Sequence, residues 1–170
     1  QNGQRVTIAR ETSDRRGEGA ALGNLGNAYA DMGDPWRAIE YYEQHLVIAR
    51  ERSDQRATVN ALGNLGSAYA DMGEFHRAIE FYEQSLALAR AIGDHRGEGQ
   101  DLGNLGEAYA ALGNTQRAIA LYEERLAIAI ELGDIRGQAY AQMNLGSAYR
   151  NLGELQRAIQ FHSQALTLFI

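Results

Sequence analysis

The sequence predicts an all-α protein, an α-solenoid in which antiparallel helix hairpins stack on one another. Three observations lead to this prediction. The segment "LGNLGNAYADMGD" at Leu22–Asp34 returns in related form at Leu62, Leu102 and Gln142, always 40 residues further along the chain. Apolar residues within each copy fall at helical spacing. Pro35 is the one proline among 170 residues, so helices can run almost uninterrupted.

The first helix of each repeat is predicted from an apolar stripe and its end signals. In repeat 1 the stripe comprises Leu22, Leu25, Gly26, Tyr29 and Met32. Asp14 is the predicted N-cap, with Asp54, Asp94 and Asp134 at the same place in later repeats. Gly33 follows the stripe, where a helix commonly ends in a left-handed residue.

The second helix is predicted to begin at Asp34 as N-cap, with Pro35 at the first helical position. Its apolar face comprises Ala38, Ile39, Tyr42, Leu46 and Ala49. The chain then turns at Ser53-Asp54, and the later turns are Gly93-Asp94 and Gly133-Asp134.

Such helices cannot bury their stripes alone, so we expect one continuous solenoid domain, a fragment of a longer array. The predicted organisation is the tail of a preceding second helix over residues 1–12, then repeats over 13–52, 53–92, 93–132 and 133–170.

Composition excludes several kinds of chemistry. The chain has no cysteine, and its 16 basic residues are all arginine, so thiol nucleophiles and phosphate-loop lysines are absent. The four histidines, at 45, 76, 95 and 162, lack metal-ligand spacing. We therefore expect no enzyme, catalytic residue, metal site or cofactor.

Charge and hydropathy restrict the partners. A net charge of −6 is unlike the basic field of nucleic-acid binders. No apolar run approaches the roughly 20 residues that span a bilayer. Aromatic residues fall at core spacing, which argues against a base-stacking platform. We expect a cytoplasmic protein with protein or peptide partners, and neither a nucleic acid nor a membrane.

The motifs resemble the tetratricopeptide repeat (TPR). Leu22, Leu25-Gly26 and Tyr29 match its first-helix signature, and Ala38 with Tyr42 matches its second. The period of 40 exceeds the usual ~34 residues and is similar to that of LGN/Pins-type scaffolds and bacterial multi-TPR regulators. The resemblance implies a right-handed superhelix whose first helices line a concave groove that binds an extended or partly helical peptide.

One asparagine per repeat lies on the predicted groove face: Asn24, Asn64, Asn104 and Asn144. We call these four residues the asparagine row. An amide both donates and accepts hydrogen bonds, so the row suits a peptide backbone. Alternatively, each asparagine bonds a neighbouring helix or faces water. The other predicted peptide-binding residues on this face are Asn27, Asn60, Ser67, Gln100, Glu107, Tyr140 and Ser147.

Two further sets of groove residues have open interpretations. Gly23, Gly63 and Gly103 either allow close helix packing or leave room for a ligand. One turn before the groove face stand Arg16, Arg56, Arg96 and Arg136, which either hold acidic ligand side chains or form solvated salt bridges. For the arginines at 37, 77, 117 and 157, a structural role is favoured.

A second function remains open from the sequence. Leu168-Phe169-Ile170 provides no polar cap, although terminal repeats normally need a polar outer face. The alternative is therefore a structural spacer or self-assembling segment that stacks end to end through uncapped terminal helices.

Overall fold

The computed structural model describes residues 14–169 and confirms the all-α fold class, because these residues form eight α-helices and no strand. The predicted helical tail over residues 1–12 lies outside the described residues. The helices are α1 (Arg15–Asp31), α2 (Pro35–Glu51), α3 (Gln55–Asp71), α4 (Phe75–Ile92), α5 (His95–Ala111), α6 (Thr115–Glu131), α7 (Ile135–Asn151) and α8 (Leu155–Thr167).

Aspartate N-caps begin all four first helices, as predicted. The side chains of Asp14, Asp54, Asp94 and Asp134 each accept a hydrogen bond, 3.0–3.1 Å long, from the backbone N–H three residues later. These contacts satisfy N–H groups that have no partner within the helix.

The turns also follow the sequence signals. Asp34 caps α2 by accepting from the Arg37 backbone N–H at 3.1 Å, and Pro35 is the first residue of that helix. Gly33 ends the preceding helix with a φ of 74°. At the next turn Ser53 has a φ of 55° and is the one non-glycine residue with positive φ among the described residues.

The chain divides between Ile92 and Gly93 into two compact units. In the first, α1 packs on α2 and α3 packs on α4, while α2 also contacts α3. The predicted second-helix face of repeat 1 is confirmed, since Ala38, Ile39, Tyr42, Leu46 and Ala49 are all buried. Leu22 and Leu65 are among the most completely buried side chains of the first helices.

The second compact unit repeats this arrangement with α5 on α6, α7 on α8, and α6 against α7. Its core includes Ile119, Tyr122, Leu145 and Tyr149. Helix α8 differs from α6 in its exposure: Ile159 is 61% exposed, whereas its equivalent Ile119 is 6% exposed. One face of α8 therefore has no neighbouring helix in the described residues.

Two predictions about apolar residues were wrong. Met32 was expected in the stripe of the first helix but is 73% exposed, because α1 ends at Asp31 and Met32 is its C-cap. Trp36 was expected at a core position but is 64% exposed at the start of α2. Helical periodicity therefore does not extend across the turn that joins these helices.

Candidate functional site

The asparagine row occupies the middle of the four first helices, α1, α3, α5 and α7. Asn24 is exposed, and the other three side chains are partly exposed. Each side chain is therefore open to solvent to some degree while its backbone is fixed within a helix.

In the first compact unit, a chain of hydrogen bonds connects the row to the helices beside it. The hydroxyl of Tyr42 on α2 donates to Oδ1 of Asn27 on α1 at 2.9 Å. The side-chain amide of Asn64 on α3 donates to the same oxygen at 3.4 Å. Asn64 thus contacts a neighbouring helix, and this contact orients its amide group. Its amide has a second N–H and a carbonyl oxygen, so its capacity for hydrogen bonds exceeds this one contact.

The second compact unit contains an equivalent contact. The side-chain amide of Asn144 on α7 donates to Oε1 of Glu107 on α5 at 3.2 Å. Glu107 occupies the position of Asn27, two repeats further along the chain. Burial raises the pKa of Tyr122, and the charge of Glu107 raises it further, so this hydroxyl stays protonated at neutral pH.

The far ends of α1 and α3 are acidic. Burial raises the pKa of Tyr42, and the carboxylates of Asp31 and Asp71 raise it further. Both aspartates end their helices, α1 and α3, and both are exposed.

In repeat 2 the hydroxyl of Tyr82 on α4 donates to Ser67 Oγ on α3 at 3.1 Å. A second predicted groove residue, Ser67, is therefore held by the second helix of its own repeat.

Two of the groove glycines are covered by side chains of the second helix. A β-carbon on Gly23 would lie 3.1 Å from Nδ1 of His45, and one on Gly103 would lie 2.4 Å from Nη1 of Arg125. Both glycines are buried. At these two positions the structure therefore supports close packing rather than open room for a ligand.

The arginines at the start of the first helices are exposed, and three of them line cavities. In the second compact unit, a cavity of about 390 Å³ lies between α5, α6 and α7; we call it the α5–α7 cavity. It brings together four of the predicted groove residues with parts of α6. These four are Arg96, Gln100, Arg136 and Tyr140, and the α6 residues include Arg125, Ile128 and Leu132.

The first compact unit has a smaller cavity of about 140 Å³ at the equivalent place. It is lined by Arg16, His45 and Arg52 among others. His45 stands where Arg125 stands in the second unit. Burial lowers the pKa of His45, while the charge of Asp54 acts in the opposite direction. Arg56, although predicted with this set, is not among the residues that line this cavity.

The remaining predicted residues are exposed or partly exposed and lie outside both cavities. Asn60 is exposed on α3, and Ser147 is partly exposed on α7. The sequence interpretation missed Arg125 and His45 as neighbours of the predicted groove face, because only first helices were expected to line it. A signal was present, because the TPR motif usually has a small residue at this position of the second helix. In repeats 1 and 3 the residue is large, His45 and Arg125.

The favoured structural role for Arg37 and its equivalents agrees with the contacts that these residues make. The guanidinium of Arg37 lies 4.5 Å from the ring centroid of Tyr29, and equivalent pairs occur in the other three repeats. Tyr29 in turn stacks on Tyr41 with centroids 5.3 Å apart. These arginines join the ends of the two helices in each hairpin.

Among the described residues, no helix is long and apolar enough to span a membrane. The described part of the chain also has no group of three or more potential metal-ligating side chains.

Family models for the tetratricopeptide repeat match residues 57–131 and, with a second model, residues 21–56 and 143–168. The chain belongs to the tetratricopeptide-repeat family. The fold and the family together support a protein-interaction repeat scaffold. No curated protein gives a significant match.

Solved structures with similar folds include other repeat proteins. A putative kinesin light chain with nearly identical TPR-like repeats from Podospora anserina is 26% identical, with a TM-score of 0.80 over 98% of this chain and 82% of that one. BtubC from P. vanneervenii is 23% identical, with a TM-score of 0.82 over 91% of this chain. Aspartyl phosphate phosphatase F from Bacillus subtilis is 16% identical, with a TM-score of 0.85 over 89% of this chain. The present chain spans 64% of the length of BtubC and 40% of the length of aspartyl phosphate phosphatase F.

Proposed function

We propose that this TPR chain is a non-catalytic interaction module that binds a peptide segment, extended or partly helical, along its first helices. The observation that carries the proposal is the oriented amide of Asn64. Asn27 fixes its direction, and the side chain remains partly exposed. An amide fixed in this way loses little conformational freedom when it bonds a ligand.

The charges on the first helices favour a ligand with separated charges. Each first helix begins beside an exposed arginine, and in α1 and α3 it ends at an exposed aspartate. In α1, Asp31 comes 15 positions after Arg16, which corresponds to about 22 Å at a rise of roughly 1.5 Å per residue. Acidic ligand groups are therefore expected near the starts of these helices and basic groups near their ends.

The test begins with a peptide selected from a displayed random library against the whole chain. Asn64→Ala with Asn104→Ala should weaken its binding by roughly tenfold or more, because each lost hydrogen bond contributes about 1 kcal/mol. The matched control is Gln84→Ala with Gln116→Ala, which truncates exposed amides on the second helices α4 and α6.

Circular dichroism and thermal unfolding should show that both double variants keep the fold. If the asparagine variant binds the selected peptide as tightly as the unmodified chain, the asparagine row is not the binding surface.

A second candidate function is self-assembly, and the exposure of α8 favours it. Ile159, Leu166 and Phe169 are 61%, 64% and 61% exposed. The equivalent Ile39 and Leu46 are 6% and 7% exposed on α2, which α3 packs against. The α8 face therefore has the composition of a buried repeat interface, and a second copy of the chain is the occupant that we propose.

A further inference from the structure

The α5–α7 cavity has the size and lining of a small-ligand site. Its volume of about 390 Å³ falls within the range of roughly 300–1,000 Å³ that such sites occupy. Ile128, Ala129 and Leu132 supply apolar lining, and the ring of Tyr140, 55% exposed, lies at its edge. A ligand of this cavity would accordingly carry an apolar group.

The charged groups of the lining are mostly positive. Arg96, Arg125 and Arg136 contribute three guanidinium groups, and Asp134 contributes the one carboxylate. That carboxylate already accepts the Gly137 backbone N–H at 3.0 Å. Three guanidinium groups and one carboxylate leave the lining with an excess of two positive charges.

The ion pairs that the structure describes leave these arginines out. The pairs that contain an arginine involve Arg15, Arg37, Arg77 and Arg157, none of which lines the α5–α7 cavity. His95, which does line it, has its Nδ1 3.4 Å from Oε2 of Glu98. In the first compact unit, by contrast, Arg15 lines the smaller cavity and pairs with Glu18 and Glu51. The two cavities share a position in the repeat, and the second is both larger and less compensated in charge.

We propose that the α5–α7 cavity binds a phosphate monoester attached to an apolar group, supplied by a phosphorylated side chain of the segment in the groove. A phosphoryl group carries a charge of about −1.5 to −2 at pH 7, which matches the excess of two. A single carboxylate would leave about one positive charge uncompensated. One guanidinium group can also donate two parallel hydrogen bonds to a phosphate, which suits a lining whose cationic groups are arginines. The source of the phosphate rests on the proposed peptide function, whereas the chemistry of the cavity does not.

The first experiment uses phenyl phosphate as the probe and needs no peptide. Titration into the ¹⁵N-labelled whole chain should give saturable NMR shifts of backbone amides at the starts of α5 and α7 and in the second half of α6. Phenylacetate, a carboxylate of similar shape, should bind at least about tenfold more weakly. Absence of saturable binding, or equal binding of the two probes, would overturn the phosphate assignment.

Variants then locate the binding. Arg96→Gln and Arg136→Gln should each weaken phenyl phosphate binding by at least about fivefold. Both residues are exposed, so these variants should keep the fold, as amide spectra will show. Arg50→Gln is the control, because Arg50 is an exposed arginine on α2 that lines neither cavity. An equal effect of all three changes would overturn the proposed location.

A further comparison identifies the source of the phosphate. Phosphotyrosine peptides from a displayed library should bind more tightly than phenyl phosphate and lose affinity in Asn144→Ala, which changes the row residue on the same helix as Tyr140. If phenyl phosphate binds as expected but no phosphopeptide binds more tightly, the side-chain source is overturned and the ligand is a free phosphomonoester. If phenyl phosphate does not bind, but Asn64→Ala with Asn104→Ala still weakens peptide binding, only the cavity proposal is overturned.

Discussion

The ring of Tyr122 lies directly against Gly106, so that a β-carbon on this glycine would be 2.3 Å from Cε1 of the tyrosine. Gly26 and Gly66 face Tyr42 and Tyr82 in the same way, at 2.3 and 2.5 Å. The two helices of each of these hairpins therefore approach at one residue that has no side chain, and this contact explains the repeated glycine.

Gly106→Ala should destabilise the chain by about 1–2 kcal/mol. The clash of the added methyl group with Tyr122 should outweigh the stabilisation that alanine gives a helix relative to glycine. Gly99→Ala is the control in the same helix, since its β-carbon would meet Ile128 Cγ2 at an ordinary 3.8 Å. That change should stabilise by up to about 1 kcal/mol. The free energy of unfolding in urea measures both, and equal effects would contradict the packing account.

The aspartate N-caps should contribute measurably to stability. Asp94→Ala removes the acceptor of the Gly97 backbone N–H, 3.1 Å away, and should cost about 0.5–2 kcal/mol. Glu154→Ala is a matched control, because Glu154 occupies the N-cap of α8 without a capping hydrogen bond from its side chain. A loss for Glu154→Ala as large as that for Asp94→Ala would show that the capping bond is not the cause.

His45 should make the chain less stable in mild acid. Burial holds its pKa below that of an unfolded histidine, about 6.5. As pH falls below that value, the unfolded chain binds a proton before the folded chain does, so the free energy of unfolding decreases. The nearby charges include Asp54, which favours protonation, and Arg15, Arg16 and Arg52, which line the same cavity and oppose it.

His45→Ser tests this expectation with the residue type that repeat 2 has at Ser85. Between pH 7.5 and pH 5.5 the variant should lose less stability in urea than the unmodified chain. His76→Ser, on the exposed side of α4, controls for the loss of an imidazole in general. The same acid sensitivity in His45→Ser and the unmodified chain would show that another group is responsible.

Self-association through α8 should depend on its exposed apolar face. Light scattering should give a mass that rises with protein concentration, and Ile159→Glu should reduce that rise. Gln160→Glu adds the same charge at a neighbouring exposed position and should have little effect. A strict monomer at high concentration would argue against this interface.

The sequence predicted helices and turns well because its signals are local. The side chain of Asp94, for example, caps the helix that follows it, and Gly93 adopts a φ of 68° at the turn before that helix. The prediction that Met32 is buried was wrong because a C-cap residue no longer follows the helical period. That a long-period TPR variant is present stays a prediction.

Parts of the candidate site depended on contacts between helices that the sequence does not encode locally. Asn64 bonds Asn27, 37 residues earlier, and no spacing rule indicates the direction of that amide. Arg125 reaches over Gly103 from the second helix, so the cavity is lined in part by a helix that was not expected to contribute to the site. These contacts follow from how the helices pack.

The most direct test of the central claim is the NMR signal of the Asn64 side-chain amide during titration with a selected groove peptide. Peptide binding along the first helices predicts saturable shifts of the Asn64 and Asn104 side-chain amides, while those of Gln84 and Gln116 on the second helices stay unchanged. Saturable binding that moves only signals of α8 and leaves Asn64 and Asn104 unchanged would contradict the account.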